Sequence, residues 1–264
     1  LSTEQLDNFK ESGDFIQSLD RGLQVIQAFS QNNKALKISD VSKITGLSRP
    51  TARRILLTLE HLGFAESSNG VFSLTARTLS LGYTYLSSNN KWNIAHSFMR
   101  DFVNKTGESC SISILDGTDI IYVARVSTKR IMSINLDVGS KLPAYATSMG
   151  HVLLANLPKE ELEKYLTSLN LEKFTDKTIL DKDQLRITLE DVLEKNWGGV
   201  DQQFEEGLRS IAVPLRDANG KVIAAINCSV HAGRISKEVI TNEFLPLLQE
   251  YAERISEAMA ITNR

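Results

Sequence analysis

The sequence lacks any apolar run long enough to span a bilayer: its longest, such as Ile211 to Leu215, reach about five residues where a membrane helix needs about 20. No charged segment followed by an apolar stretch and a small-residue cleavage site opens the chain, so no secretory leader is expected. Cysteine is scarce. Cys110 and Cys228 lie far apart, each within an apolar alternating run, a pattern of buried free thiols rather than of a disulfide framework. A reducing cytoplasm without a membrane partner is the expectation. The phosphate loops GxxxxGK[ST] and GxGxxG are missing, which removes the common nucleotide-dependent enzymes. The four histidines, at 61, 96, 151 and 231, are scattered and form no HxxxH pair, so no metal site is composed. Ser148 lies three residues from His151, but without a GxSxG elbow or an orienting acid the two do not make a hydrolase. No catalytic residue, metal or cofactor is therefore expected, and neither repeats nor low-complexity tracts occur.

What is present fits two folded domains. A chain of 264 residues with 42% hydrophobic and 23% charged residues has ordinary globular composition and is long for a single small domain. The net charge of -2 conceals an asymmetry: residues 18–88 carry eight Lys or Arg against four acids, leaving the remainder acidic. A local cationic excess of this kind suits phosphate contact, although a solvated surface also produces it.

Residues 1–17 read as a flexible acidic arm. From Ser18, a possible cap, Leu19, Leu23 and Ile26 repeat at helical spacing. A second short helix follows, capped by Ser39, with Val41 and Ile44 on its buried side and Gly46 as its stop. Ser48 caps a third, longer helix that turns Ala52, Ile55, Leu56, Leu59 and Leu62 inward. Its other face presents Pro50, Arg53, Arg54, Leu57 and His61, with Thr58 at the edge and Arg49 in the first turn. Next comes a hairpin, 64–66 and 71–74, around Asn69-Gly70, a dipeptide whose residues both tolerate positive φ. Three helices and a hairpin make a winged helix-turn-helix over 18–74. Residues 75–90 form a connecting helix whose stripe of Leu79, Tyr83 and Leu86 suits a dimer contact.

The rest, 91–264, reads as an α+β domain: an antiparallel sheet with packed helices. Strands are expected at 111–115, 120–126 and 131–136, and a hairpin at 210–215 and 222–230 across Asp217-Ala218-Asn219-Gly220. Helices are expected from Thr147, over 159–169, over 181–195 with Gly198-Gly199 closing it, and through Phe244, Leu248, Tyr251, Ile255 and Ala258.

Two constellations carry chemistry. Arg53 and Arg54, outward on the second helix of a helix-turn-helix, are placed for bidentate contact with guanine or for clamping phosphate. Ser39, Lys43, Arg49, Pro50 and Thr51 flank them as further DNA contacts, although hydroxyls at helix starts also serve simply as caps. In the larger domain Thr147-Ser148-Met149-Gly150 opens a helix whose first amides are free for a carboxylate. Ser210, Asn227 and Ser229 interrupt apolar strands, with Asn227 and Ser229 on one face. Backbone or water could satisfy these groups; the alternative is a pocket for a small organic acid. Arg125 and Arg209 rank lower as anion partners, since alternation turns Arg209 away from Leu208 and Ser210.

These segments resemble a known family. Leu19-Asp20-Arg21-Gly22-Leu23, Gly46-Leu47-Ser48-Arg49-Pro50-Thr51-Ala52-Arg53-Arg54 and Leu62-Gly63-Phe64 resemble the DNA-binding domain of IclR-type transcription regulators. Residues 142–150, 206–214 and 224–229 resemble that family's effector domain, so that the likeness covers about 15–262. The wording is nearest the branch governing protocatechuate, 4-hydroxybenzoate and β-ketoadipate catabolism. The resemblance implies a GAF-like effector domain, double-stranded operator DNA as partner, and a homodimer or homotetramer. It further implies effector contacts at Ser148, Met149, Gly150, Leu208, Ser210, Asn227 and Ser229, and an acidic contact near Asp201. The effector would be a small carboxylate such as protocatechuate, 4-hydroxybenzoate or β-ketoadipate. His151 departs from the Lys or Arg expected there and suggests an altered pocket mouth. Other readings are an IclR-type regulator of sugar or glyoxylate metabolism, or a GAF-like binding module without DNA readout. A protein-contact face on the third helix would be apolar, unlike Arg53, Arg54 and Thr58.

Overall fold

The computed structural model describes residues 9–10, 12–30, 33–88, 91–128 and 136–262, and the chain divides into compact units at 1–85 and 86–264. In the first unit, α1 (Gln17–Gln27), β1 (Ala35–Lys37), α2 (Ile38–Thr45) and α3 (Arg49–His61) precede the hairpin β2 (Ala65–Ser68) and β3 (Val71–Leu74). The three strands are antiparallel in the order β1-β3-β2, β1 being a strand that patterning did not expect. Val25, Leu36, Val41, Ala52, Leu56, Leu59 and Phe72 close the core.

Local chemistry explains most boundaries. Ser48 Oγ accepts from Thr51 N at 3.4 Å, capping α3. Gly46 ends α2 at φ 71°, and Asn69 and Gly70 turn the hairpin at φ 52° and 77°, values that suit a type I′ turn. Two expected caps are corrected. Ser18 lies inside α1, which starts behind Ile16, and Ser39 lies inside α2, where Lys37 N donates instead to Asp40 Oδ2 at 3.0 Å. Leu62 sits at the end of α3 and is exposed, so the buried face of that helix is narrower than expected. The stripe of Leu19 and Leu23 on α1 also faces outward.

α4 (Leu79–Ser88) follows a short 3-10 turn and leaves Leu79 and Tyr83 exposed. The second unit opens on α5 (Lys91–Thr106), a helix that the sequence reading did not expect. Its sheet is wholly antiparallel, with β4 (Ser109–Asp116), β5 (Asp119–Val126), β6 (Lys141–Pro143), β7 (Gly198–Asp201), β8 (Leu208–Arg216) and β9 (Val222–His231) in the order β6-β5-β4-β9-β8-β7. The edge strands β6 and β7 were not expected, and the strand expected at 131–136 lies, apart from Leu136, outside the described residues. Gly198 and Gly199 begin β7 rather than closing a helix. The preceding helix is closed by Asn196 at φ 59°.

Period-two alternation divides this sheet. Cys110, Ile112, Ile211, Val213, Ile226 and Cys228 face α5 and the terminal helix α9 (Leu245–Thr262), where Phe102 and Tyr251 meet edge to face with ring centroids 5.8 Å apart. Cys110 and Cys228 are directly opposed on β4 and β9, buried and unbonded to each other. The other face packs on α6 (Ser148–Ala155), α7 (Lys159–Ser168) and α8 (Lys182–Lys195) through Met149, Val152, Tyr165, Leu185 and Leu189. Among the described residues no helix is long and apolar enough to cross a membrane.

Candidate functional site

The exposed face of α3 carries Arg49, Pro50, Arg53, Arg54, Leu57, Thr58 and His61. No side-chain hydrogen bond or ion pair among the described residues engages Arg53 or Arg54, so both guanidinium forks are available to a partner. Thr58 Oγ1 donates to Arg54 O at 2.8 Å, turning that hydroxyl toward its own helix. Thr51 is committed to the cap, its Oγ1 lying 2.9 Å from Ser48 Oγ. Lys43 is exposed on α2, whereas Ser39 is half-buried and 3.4 Å from Asp40 Oδ1.

In the second unit, the sheet face beneath α6 is polar where strands usually supply aliphatic residues. Ser109, Ser111 and Ser113 alternate along β4, and Asn227, Ser229 and Ser210 continue the stripe onto β9 and β8. All but Ser229 are buried. Burial of so many polar groups is tolerable because they satisfy one another. Asn227 Oδ1 accepts from Ser111 N at 3.1 Å and its Nδ2 donates to Ser229 Oγ at 3.0 Å. Ser148 Oγ and Ser210 Oγ are 2.8 Å apart. Arg125 reaches across from β5, its Nη1 donating to Ser111 Oγ at 3.0 Å, while its buried Nε has no partner among the described residues.

A cavity opens over this stripe, walled by Tyr122, Arg125, Leu136, Leu142, Ala146 to Met149, Val200, Phe204, Glu205, Leu208, Ser210, Asn227 and Ser229. Its enclosed volume is only about 30 Å³. That inner volume suits about two waters. Burial pushes the Tyr122 phenol up to about 12 despite the opposing charge of Arg125, so it stands in the wall as a neutral hydrogen-bonding ring.

Six of the residues singled out from the sequence meet in this wall: Ser148, Met149, Leu208, Ser210, Asn227 and Ser229. Two stand elsewhere. Gly150 packs under the preceding turn, where a Cβ would lie 2.0 Å from Ala144 O, and Asp201 lies at the sheet edge with Arg209 Nε at 3.0 Å. The free helix start is also partly spent, since Gly150 N donates to Thr147 Oγ1 at 3.2 Å. His151 is not at the mouth. It is fully buried and its Nε2 donates to Tyr145 O at 2.6 Å, and burial lowers its basicity and keeps it neutral. The serines of β4 were missed, although Ser109, Ser111 and Ser113 at period two in an apolar strand were the same signal that marked Asn227 and Ser229. Among the described residues no cluster of His, Cys, Asp or Glu could hold a metal.

The helix-turn-helix description of the IclR family matches residues 18–68, and its description "Bacterial transcriptional regulator IclR C-terminal" matches residues 83–257. The chain belongs to the IclR family of transcription regulators. This IclR-family chain is 40% identical over 246 residues to the Pca regulon regulatory protein of Pseudomonas putida, covering 93% of this chain and 84% of that protein. A crystal structure from Rhodococcus sp. RHA1 is 44% identical, covers 94% of this chain and 100% of that one, and superposes with a TM-score of 0.81. The inducer-binding domain of PobR from Acinetobacter, a double mutant in complex with 3-hydroxybenzoic acid, is 30% identical over 62% of this chain and 97% of that one, with a TM-score of 0.59. These likenesses place the regulator in the Pca and PobR branch of the family.

Proposed function

We propose that this regulator binds duplex operator DNA through the exposed face of α3 and that a small aromatic carboxylate in the cavity controls that binding. Arg53 and Arg54 read base edges or clamp phosphate, with Ser39, Lys43, Arg49, Pro50 and Thr51 flanking them on the backbone. Two such helices are needed to meet repeated half-sites, so the working form is a homodimer or homotetramer, with exposed Tyr83 of α4 contributing to the pairing, whereas Leu86, expected beside it, is half-buried against the core of the larger unit.

The observation that carries the effector reading is the unpartnered buried Nε of Arg125. A buried donor left unmade costs about 1–3 kcal/mol, a cost that a carboxylate placed beside Arg125 and Ser111 removes. A ring needs more room than the about 30 Å³ enclosed here, so Tyr122 and Phe204 must part to take it between them, with the Ser148 and Ser210 hydroxyls available to a ring hydroxyl. This reverses the sequence ranking, in which the start of α6 came before Arg125. The names of the relatives in P. putida and Acinetobacter support an aromatic acid over a sugar acid or glyoxylate.

Calorimetry with 4-hydroxybenzoate, protocatechuate, β-ketoadipate and glyoxylate tests the reading. One of the first two is expected to bind, and Arg125→Gln to weaken it at least about tenfold. Equal binding by the variant overturns the site; binding of glyoxylate alone overturns the aromatic class.

A further inference from the structure

A second groove shares Val200 and Ser210 with the cavity but opens along β7 and the approach to α9, with a volume of about 180 Å³. Its rim carries an excess of cations. Asp201 Oδ1 accepts from Arg209 Nε at 3.0 Å, and Oδ2 from Lys177 Nζ at 3.2 Å and Lys237 Nζ at 3.1 Å. Three positive charges thus converge on one carboxylate whose two oxygens are both engaged. Glu238, which feels Arg209 and Lys237, supplies a second negative charge and leaves one positive charge in excess.

The groove also presents donors to solvent. Arg209 Nη1 donates to Ile235 O at 2.7 Å, while Arg209 Nη2, the Trp197 indole N–H and the Thr241 hydroxyl make no hydrogen bond to the described residues and are open to water. Buried Ile211 and Ile240 line the groove, and Trp197 flanks it with a flat ring. A π-helical turn at Ile240–Phe244 puts Ile240 into the core and Thr241 on the groove, and wide turns of this kind recur at functional sites. Spare donors and spare positive charge over an apolar, aromatic lining match an anion with a flat apolar body.

We propose that this groove is a second binding site, for a small aromatic carboxylate, in which Arg209 and Lys237 pair with the carboxylate and Trp197 lies against the ring. The site stands independently of the Arg125 cavity.

Trp92 and Trp197 are the only tryptophans, so Trp92→Phe makes Trp197 a single fluorescent reporter. The full chain with Trp92→Phe and Ser148→Leu, which blocks the cavity, is titrated with benzoate. Should Ser148→Leu fail to fold, Arg125→Gln replaces it. A saturable change in indole emission is expected, weakened at least about tenfold by Lys237→Glu and not reproduced by sulfate at equal ionic strength. Lys237 is largely exposed and Asp201 keeps Arg209 and Lys177 as partners, so the change is expected to cost little stability, which thermal unfolding of the variant checks. No saturable change up to about 10 mM benzoate, or equal affinity with Lys237→Glu, overturns the site. A sulfate response as strong as that to benzoate overturns the organic class. Failure of the Arg125 cavity alone leaves this titration unchanged, which separates the two readings.

Discussion

In residues 1–85 the side chains proposed to meet a partner stand outside the core, whereas in residues 86–264 they stand inside it, hydrogen-bonded to one another. Arg53 and Arg54 project from a helix whose opposite face, Ala52, Leu56 and Leu59, does the folding. Ser111, Asn227 and Ser210 belong to a sheet whose opposite face holds Cys110, Ile226 and Ile211. If α3 reads DNA as proposed, recognition and stability in the first region are separable by mutation. In the second they share residues, because an inward polar group must be satisfied whether or not a ligand is present.

The largest expected effect lies where sequence matching and packing disagree. Gly150→Ala should destabilise the larger unit by about 3 kcal/mol or more, since its Cβ would meet backbone rather than a movable side chain. A chemical denaturation curve checks this, and an unchanged midpoint with lost effector binding would return Gly150 to the ligand site. Next, Arg53→Ala and Arg54→Ala should each weaken operator binding by about 1–3 kcal/mol when the residue reads a base. Stability should change by no more than about 0.5 kcal/mol, as befits exposed positions. Fluorescence anisotropy that finds parent affinity in the double variant breaks the assignment of α3.

His151 sharpens the comparison through pH. Its folded pKa lies below the ordinary 6.5, so the folded state binds fewer protons than the unfolded state below that value. Stability from this group is full above about pH 6.5 and falls on acidification toward the folded pKa, with a slope of at most about 1.4 kcal/mol per pH unit. His151→Gln should flatten that part of the stability profile, and a parent-like slope in the variant would assign it to another group. The smallest effect is expected at Lys177→Ala, where an exposed partner of Asp201 is lost and Arg209 and Lys237 remain. A loss above about 1 kcal/mol in thermal unfolding would mean that the cluster acts as a network rather than as separate surface pairs.

Much of the smaller unit was legible because its signals are local: Ser48 before Arg49, Gly46 after Thr45 and Asn69-Gly70 between strands each act within a few residues. The cap misread at Ser39 failed for the same reason, since Asp40 takes the start of α2, whereas α1 starts behind Ile16 with no side-chain cap. In the larger unit the long strands β8 and β9, the helices α6 to α9 and the polar interruptions at Ser210, Asn227 and Ser229 were also legible. The short edge strands β6 and β7 were not, because three or four residues carry too little periodicity.

By itself the sequence determined the winged helix, its outward arginines, the alternation of the sheet strands and the family to which the chain belongs. Only the tertiary structure decided that Arg125 enters the cavity while Arg209 binds Asp201, that His151 is sealed in the core, and that Gly150 serves packing. Alternation assigns a residue to a face, but the neighbours it meets there depend on strand order and register. Those are set by pairings between segments more than a hundred residues apart, such as Ser111 with Asn227.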